Sequence, residues 1–196
     1  WGNRHWHPML VDTLRSMRMD GIQHALAFLT SPYSSNSTCR QYLDAMAAAR
    51  DAVGAGVPRI SKLRGYFNHP RFVKAWCDRT QTALQRLGAK AASDLYILFT
   101  AHSIPVAMAE RSQYVEQLNE LAQLIVSRLQ LNDVPWKLVY QSRSGPPRQP
   151  WLAPDVRQAL ADLGGREPTP HVLLVPIGFL SDHMEVQYDL DIEAGA

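Results

Sequence analysis

Short apolar runs, recurring between stretches of helical character, limit what this chain can build. They are Ala25-Leu26-Ala27-Phe28-Leu29, Leu95-Tyr96-Ile97-Leu98-Phe99, Trp136-Lys137-Leu138-Val139-Tyr140 and Val172-Leu173-Leu174-Val175. Runs of this length, rich in Val, Ile, Leu and aromatics, suit strands buried on both faces, as in parallel sheets. Helical patterns lie between them, over 39–53, 71–87, 114–129 and 155–164, with one more from Pro8 to a stop at Gly21. Strands alternating with helices specify an α/β fold with right-handed crossovers. The connector GAGVPRI, carrying Gly54, Gly56 and Pro58, is the expected domain boundary, giving a first domain over 1–60 and a second over 61–196.

Bulk properties remove several classes of function. The 196 residues include 20 basic and 18 acidic side chains, a formal net charge of +2 that fits neither a nucleic-acid binder nor a polyanion. No apolar run approaches the roughly 18 residues of a membrane span, and no signal peptide opens the sequence. The two cysteines, Cys39 and Cys77, lack a CxxC spacing, and Cys77 sits inside a helical pattern where packing is its expected role. Asn36-Ser37-Thr38 fits a glycosylation sequon, but the protein is expected to be cytoplasmic and the match to be chance. No GxGxxG or P-loop supports nucleotide binding. The sequence begins at Trp1 rather than Met and stops at Ala196, and is expected to be a piece of a longer chain.

Chemistry gathers where the strands end. In open α/β sheets ligands bind outside the carboxyl ends of the strands, and His102 follows the run ending at Phe99, in the segment Thr100-Ala101-His102-Ser103-Ile104-Pro105. The last strand is broken by Pro176 and Gly178. Beyond it, Ser181 and Asp182 offer an N-cap, with Glu185 at the capping-box position if Asp182 is the cap. At about 100° per residue, Asp182, Glu185, Asp189 and Glu193 form one acidic stripe along the following helix, where a local widening to a π-type turn, of the kind that gathers at functional sites, is expected. Val186 and Leu190 border the stripe on one side and Ile192 on the other, which suits a lined channel better than a wetted surface. His183 stands at the start of this helix. Elsewhere, Arg4-His5-Trp6-His7 reads equally as a surface turn of mixed polarity or as a rim that meets an anionic aromatic ligand through charge and stacking. The proline-stiffened loop QSRSGPPRQPW presents Arg143 and Trp151, and the small hydroxyl residues of SPYSSNST turn the chain and cap a helix.

The collinear segments GNRHWHP, SPYSSNS, LFTAHSIP, QSRSGPP with PWLAPDV, and VPIGFLSDHMEVQYDLDIE resemble the ferrochelatase family, whose members insert ferrous iron into a porphyrin. The resemblance implies a chelatase-type fold of two Rossmann-like parallel-sheet domains, the first only partly present here. It implies that His102 is the metal-site histidine, that Glu185 faces it across a cleft, and that His183 supports this glutamate. Asp189 and Glu193 then match the acidic residues that carry metal or protons toward His102 and Glu185. Arg4 and His5 match polar positions near the cleft mouth, and Trp151 and Phe179 match pocket-lining aromatics in porphyrin binding. No organic cofactor is implied, and iron is a substrate. Some members bind an iron–sulfur cluster through one mid-chain cysteine and three C-terminal ones. Here Ser35 takes the mid-chain position with Cys39 close by, so a cluster is unsupported though not excluded. A peripheral membrane association is compatible with the family, and oligomeric state is not implied.

Elementary chemistry agrees. Metallation removes two pyrrole protons and strips water from a divalent cation. An imidazole titrates near neutrality and can take a proton, a carboxylate opposite it can ligate metal or take the second, and this donor pair suits ferrous iron. Two other readings stand beside this one: a cobalt or nickel chelatase acting on another tetrapyrrole, and a non-catalytic tetrapyrrole- or metal-binding module.

Overall fold

The computed structural model describes residues 1–35, 40–87 and 94–195. The sequon and Cys39 lie outside the described residues. The chain divides into two compact units, Trp1–Gly65 and Tyr66–Ala196. Both are α/β, and every strand pairs in parallel with its neighbours.

The first unit runs α1 (Leu10–Met19), β1 (His24–Ala27), α2 (Gln41–Val53) and β2 (Arg59–Lys62). Gly21, at φ 70°, ends α1 in the left-handed conformation that only glycine enters without strain. Leu14 of α1 packs with Ala49 and Val53 of α2 and takes in Ile60 of β2. That core leaves one expectation unmet. β1 is not buried on both faces: Leu26 is 66% exposed and Phe28 60%. The alternation along His24–Ala27 is that of a strand covered on one side. β2 is also a strand that the apolar-run criterion passes over, because RISK is mostly polar and only its register with β1, His24↔Arg59 through Ala27↔Lys62, makes it one.

The second unit contains α3 (Pro70–Leu87), β3 (Leu95–His102), α4 (Val106–Ala109), α5 (Tyr114–Arg128), β4 (Trp136–Gln141), α6 (Val156–Gly164), β5 (His171–Val175) and α7 (Met184–Val186). α7 continues directly into a π-helical segment, Gln187–Glu193. The sheet order is β4-β3-β5, so β3 is central, and Ile97, Leu98, Phe99, Thr100 and Ala101 are all fully buried. Leu98 and Val139 join Val156, Ala159 and Leu163 of α6 and Val186 and Leu190 of the terminal helix in one core. The terminal helix is therefore held to the sheet by its apolar border. α6 starts as the sequence predicts, with the Asp155 carboxylate accepting from the Arg157 backbone N–H at 2.9 Å. Cys77 is buried in α3, in a packing position. Among the described residues no helix is long and apolar enough to cross a membrane.

Candidate metal-insertion site

β3 delivers His102 as its last residue, paired in register with Gln141 of β4. Two hydrogen bonds fix it there. Its Nδ1 lies against the Ser103 carbonyl, and its own carbonyl accepts from the Tyr114 hydroxyl at 3.0 Å. Tyr114 is buried, and burial first, then the neighbouring Tyr140 and Glu185, pushes its phenol far above the ordinary value, so it stays a neutral donor. Tyr140, likewise buried, is pushed up to about 12 by desolvation and then by Glu116. Both phenols are thus held neutral.

Glu185 arrives from the other side of the β3 terminus, and a glycine makes this approach possible. Gly178 donates its N–H to the Thr100 carbonyl at 3.0 Å, laying the loop after β5 onto the end of β3. A Cβ at that position would fall 2.5 Å from the Ala101 Cα, closer than real atoms come. The close approach carries α7 in, and Glu185 Oε1 comes to 3.5 Å from His102 Nε2. The two atoms face each other without the alignment of a hydrogen bond, and this Oε1 atom is buried with no hydrogen-bond partner. A buried, unpartnered carboxylate oxygen beside an imidazole nitrogen is a costly arrangement for a resting fold and a ready one for a cation or a proton.

The other predicted residues sort themselves around this pair. Asp189, one turn further on, is held from β4: the Ser142 hydroxyl donates to its Oδ2, and the Gln141 amide reaches the same oxygen at 3.5 Å. Glu193 lies 3.6 Å from the Arg157 guanidinium. Glu185, Asp189 and Glu193 follow the terminal helix in sequence, which is π-helical from Gln187 to Glu193 as anticipated. Asp182 leaves the stripe. The helix is capped at His183, whose side chain makes no cap bond, and the Asp182 carboxylate accepts from the Gln187 side chain at 2.9 Å instead. A side-chain partner one turn ahead has displaced the expected capping box. His183 is exposed and sets its ring edge-on to Phe179 at 5.0 Å; no described hydrogen bond or ion pair joins it to Glu185. No three of the described His, Cys, Asp and Glu side chains come together as a metal cage, so the pair offers a cation two protein ligands.

Trp151 bridges to Pro105, its indole N–H buried without a partner and its ring packed on Gly145, where any side chain would collide. Arg143 turns back on its own loop, donating to the carbonyls of Pro147 and Gln149, rather than reaching outward. In the first unit Arg4 donates to the Gln41 side chain at 2.9 Å and lies over the Tyr42 ring, while His5 is exposed. Sequence reasoning passed over Tyr114, Gln141 and Ser142. Gln141 and Ser142 carried a readable signal, since polar residues directly after a buried strand stand where His102 stands. Tyr114 opens a helix and gave none.

Known proteins resemble this chain along nearly its whole length. The Ferrochelatase family model matches residues 1–196. A ferrochelatase of Rhodopirellula baltica is 49% identical over 194 residues, covering 99% of this chain and 54% of that protein. Coproporphyrin III ferrochelatases of Streptomyces griseus and Frankia alni are 45% and 46% identical, covering 100% and 99% of this chain and 56% and 52% of theirs. The chain therefore spans about half the length of the curated relatives it matches, and it belongs to the ferrochelatase family.

Proposed function

We propose that this chain carries the metal-handling centre of a ferrochelatase, which inserts ferrous iron into a porphyrin in haem biosynthesis. The observation that carries the reading is the facing of His102 Nε2 and the buried, unpartnered Oε1 of Glu185 at 3.5 Å. Insertion exchanges two pyrrole N–H protons for one Fe²⁺. His102 accepts one proton at Nε2, while the Tyr114 bond to its carbonyl holds the residue in place. Glu185 offers Oε1 to the incoming cation and then to the second proton. Two protein ligands hold iron weakly enough to give it up to four ring nitrogens. Asp189 and Glu193 extend the negative line outward, favouring a cation along the helix over bulk water. Trp151 and Phe179 supply aromatic surface for the macrocycle, with His183 set edge-on against Phe179; the assignment of Arg4 and His5 to porphyrin binding rests on the family resemblance alone. The reaction needs no organic cofactor. A cytoplasmic location and any peripheral membrane contact belong to this same reading and rest on family membership alone.

Two of the relatives above are named for coproporphyrin III, so the ring is coproporphyrin III or protoporphyrin IX. The test is anaerobic ferrous insertion by the full-length protein with both porphyrins. Haem formation from one of them that is lost in His102→Ala is the expected result. Porphyrin binding without insertion of iron would overturn the reading in favour of a non-catalytic module.

A further inference from the structure

Just beyond His102 the chain changes partners, and Ser103 is where it does so. The Ser103 N–H still belongs to the sheet, donating to the Gln141 carbonyl of β4 at 2.8 Å. From Ile104 onward the chain pairs instead with the segment around Trp151, antiparallel to it. The Leu152 N–H donates to the Ile104 carbonyl at 2.9 Å and the Val106 N–H to the Pro150 carbonyl at 3.0 Å, with Pro105 opposite Trp151 between them. This short ladder is poor in donors on the His102 side. Pro105 has no N–H, and that of Ser103 is already taken. The Ser103 hydroxyl supplies a further rung, donating to the Leu152 carbonyl at 2.9 Å from a residue that is 2% exposed. Its carbonyl meanwhile lies against His102 Nδ1. One residue therefore meets the imidazole with its carbonyl and the backbone next to the indole with its hydroxyl.

We propose that Ser103 is a positioning residue whose hydroxyl fixes Trp151 relative to His102, and with it the height at which a porphyrin lies against His102 Nε2. The proposal rests on the ferrochelatase reading. Insertion needs the pyrrole nitrogens within contact distance of the base, and a misplacement of about 1 Å can cost a reaction about 10²-fold. An aromatic wall supplies that precision only if its backbone is tied to the residue that carries the base. Two backbone bonds flank Pro105; the serine rung adds a third tie on the side where His102 stands.

Ser103→Ala, made in the full-length protein, removes the rung and leaves the backbone ladder. A hydroxyl that serves only the fold predicts a lowered Tm with parental kinetic constants wherever the variant is folded. The positioning role predicts, besides the lowered Tm, a porphyrin KM raised about fivefold, as for one lost neutral hydrogen bond. It also predicts a single-turnover insertion rate lowered about tenfold, with the KM for ferrous iron within about twofold of the parent. Ser103→Cys, nearly isosteric and a weak donor, should raise the porphyrin KM about threefold and carries the test if the alanine variant does not fold. Because Ser103 acts through Trp151, adding Ser103→Ala to Trp151→Ala should raise the porphyrin KM no further than Trp151→Ala alone. A porphyrin KM within about twofold of the parent in every serine variant that folds, an iron KM that rises in step with it, or effects that multiply in the double variant would overturn the proposal. Equilibrium binding of coproporphyrin III and protoporphyrin IX without iron tells its failure from that of the ferrochelatase reading. If neither porphyrin is metallated, that reading falls, while a porphyrin Kd weakened about fivefold in Ser103→Ala still supports the positioning role and an unchanged Kd removes it. A parent that binds neither porphyrin removes both.

Discussion

Glu185 and Glu193 stand near the two ends of one helix, carry the same side chain, and are exposed to nearly the same degree, 40% and 36%. Neither residue type nor burial distinguishes them; their partners do. Glu185 turns toward an imidazole a buried oxygen that has no hydrogen-bond partner, whereas Glu193 faces a guanidinium that already answers its charge. A carboxylate can take up a cation to the extent that none is already in place. On the proposed reading, the inner end of the helix receives charge and the outer end exchanges it. Asp189, between them, is answered by neutral donors, which direct it without neutralising it.

The comparison is broken most severely at its inner end. In the full-length protein, His102→Ala should abolish insertion while leaving porphyrin binding nearly intact, because the role proposed for the imidazole is to act on protons and metal rather than to hold the ring. Glu185→Gln keeps shape and hydrogen bonding but loses charge, and should also slow insertion severely. Loss of a general base typically costs about 10²–10⁴ in rate, so single-turnover insertion kinetics read either defect directly. Turnover by His102→Ala within a few-fold of the parent at limiting iron would make this histidine structural and dissolve the contrast.

Gly178→Ala should come next in size. The added methyl meets backbone and Cβ atoms of Ala101, which cannot swing aside as a side-chain tip can. Overpacking of this kind costs about 1–3 kcal/mol, visible as a lowered Tm. The displaced loop should also carry Glu185 away from His102 and depress insertion beyond what the lost stability explains. An Ala variant with parental Tm and activity would show that the loop reaches the site without this contact. Tyr114→Phe is milder. It removes one neutral hydrogen bond to the His102 carbonyl, worth about 1 kcal/mol, and should lower kcat a few-fold without altering the iron KM.

How much of this could be read beforehand follows from the range of the forces involved. β3 was legible because a strand buried on both faces writes its environment into every residue, Leu95 through Ala101. His102 and Glu185 were legible as positions after a strand and on a helix, and the structure brings them face to face; their proposed roles come from the ferrochelatase resemblance. β2 was not, since RISK becomes a strand only by pairing with a segment far away in sequence. The capping box failed for a local reason: Asp182 had two available partners one turn ahead, and the Gln187 side chain won. Burial of β1 was overestimated because an apolar run does not reveal whether a second layer will cover it, and Leu26 and Phe28 are exposed. The hydrogen bond from Ser142 to Asp189 is a tertiary contact whose local sign, a left-handed serine, is a backbone property that composition does not encode.

The smallest effect lies at the outer end and turns on sign rather than size. The Arg157–Glu193 contact is 3.6 Å long between half-exposed groups, and Arg157 also reaches Asp155 at 3.5 Å. Such surface pairs are worth about 0–1 kcal/mol, so a divalent cation can displace the guanidinium at little cost. Glu193→Gln removes the cation's first foothold and should raise the ferrous KM about two- to threefold, a defect that shrinks as iron rises and leaves kcat alone. Arg157→Gln removes the competitor and should move the same KM in the opposite direction, by about twofold at low ionic strength. With a Debye length of about 8 Å at physiological salt, both shifts should fade as salt is added, whereas the defect of Glu185→Gln, at a buried oxygen, should persist. Initial rates against iron at two salt concentrations measure all three together. A rise in KM for Arg157→Gln, in step with Glu193→Gln, would mean that the guanidinium holds the outer carboxylate in place for the cation rather than competing with it.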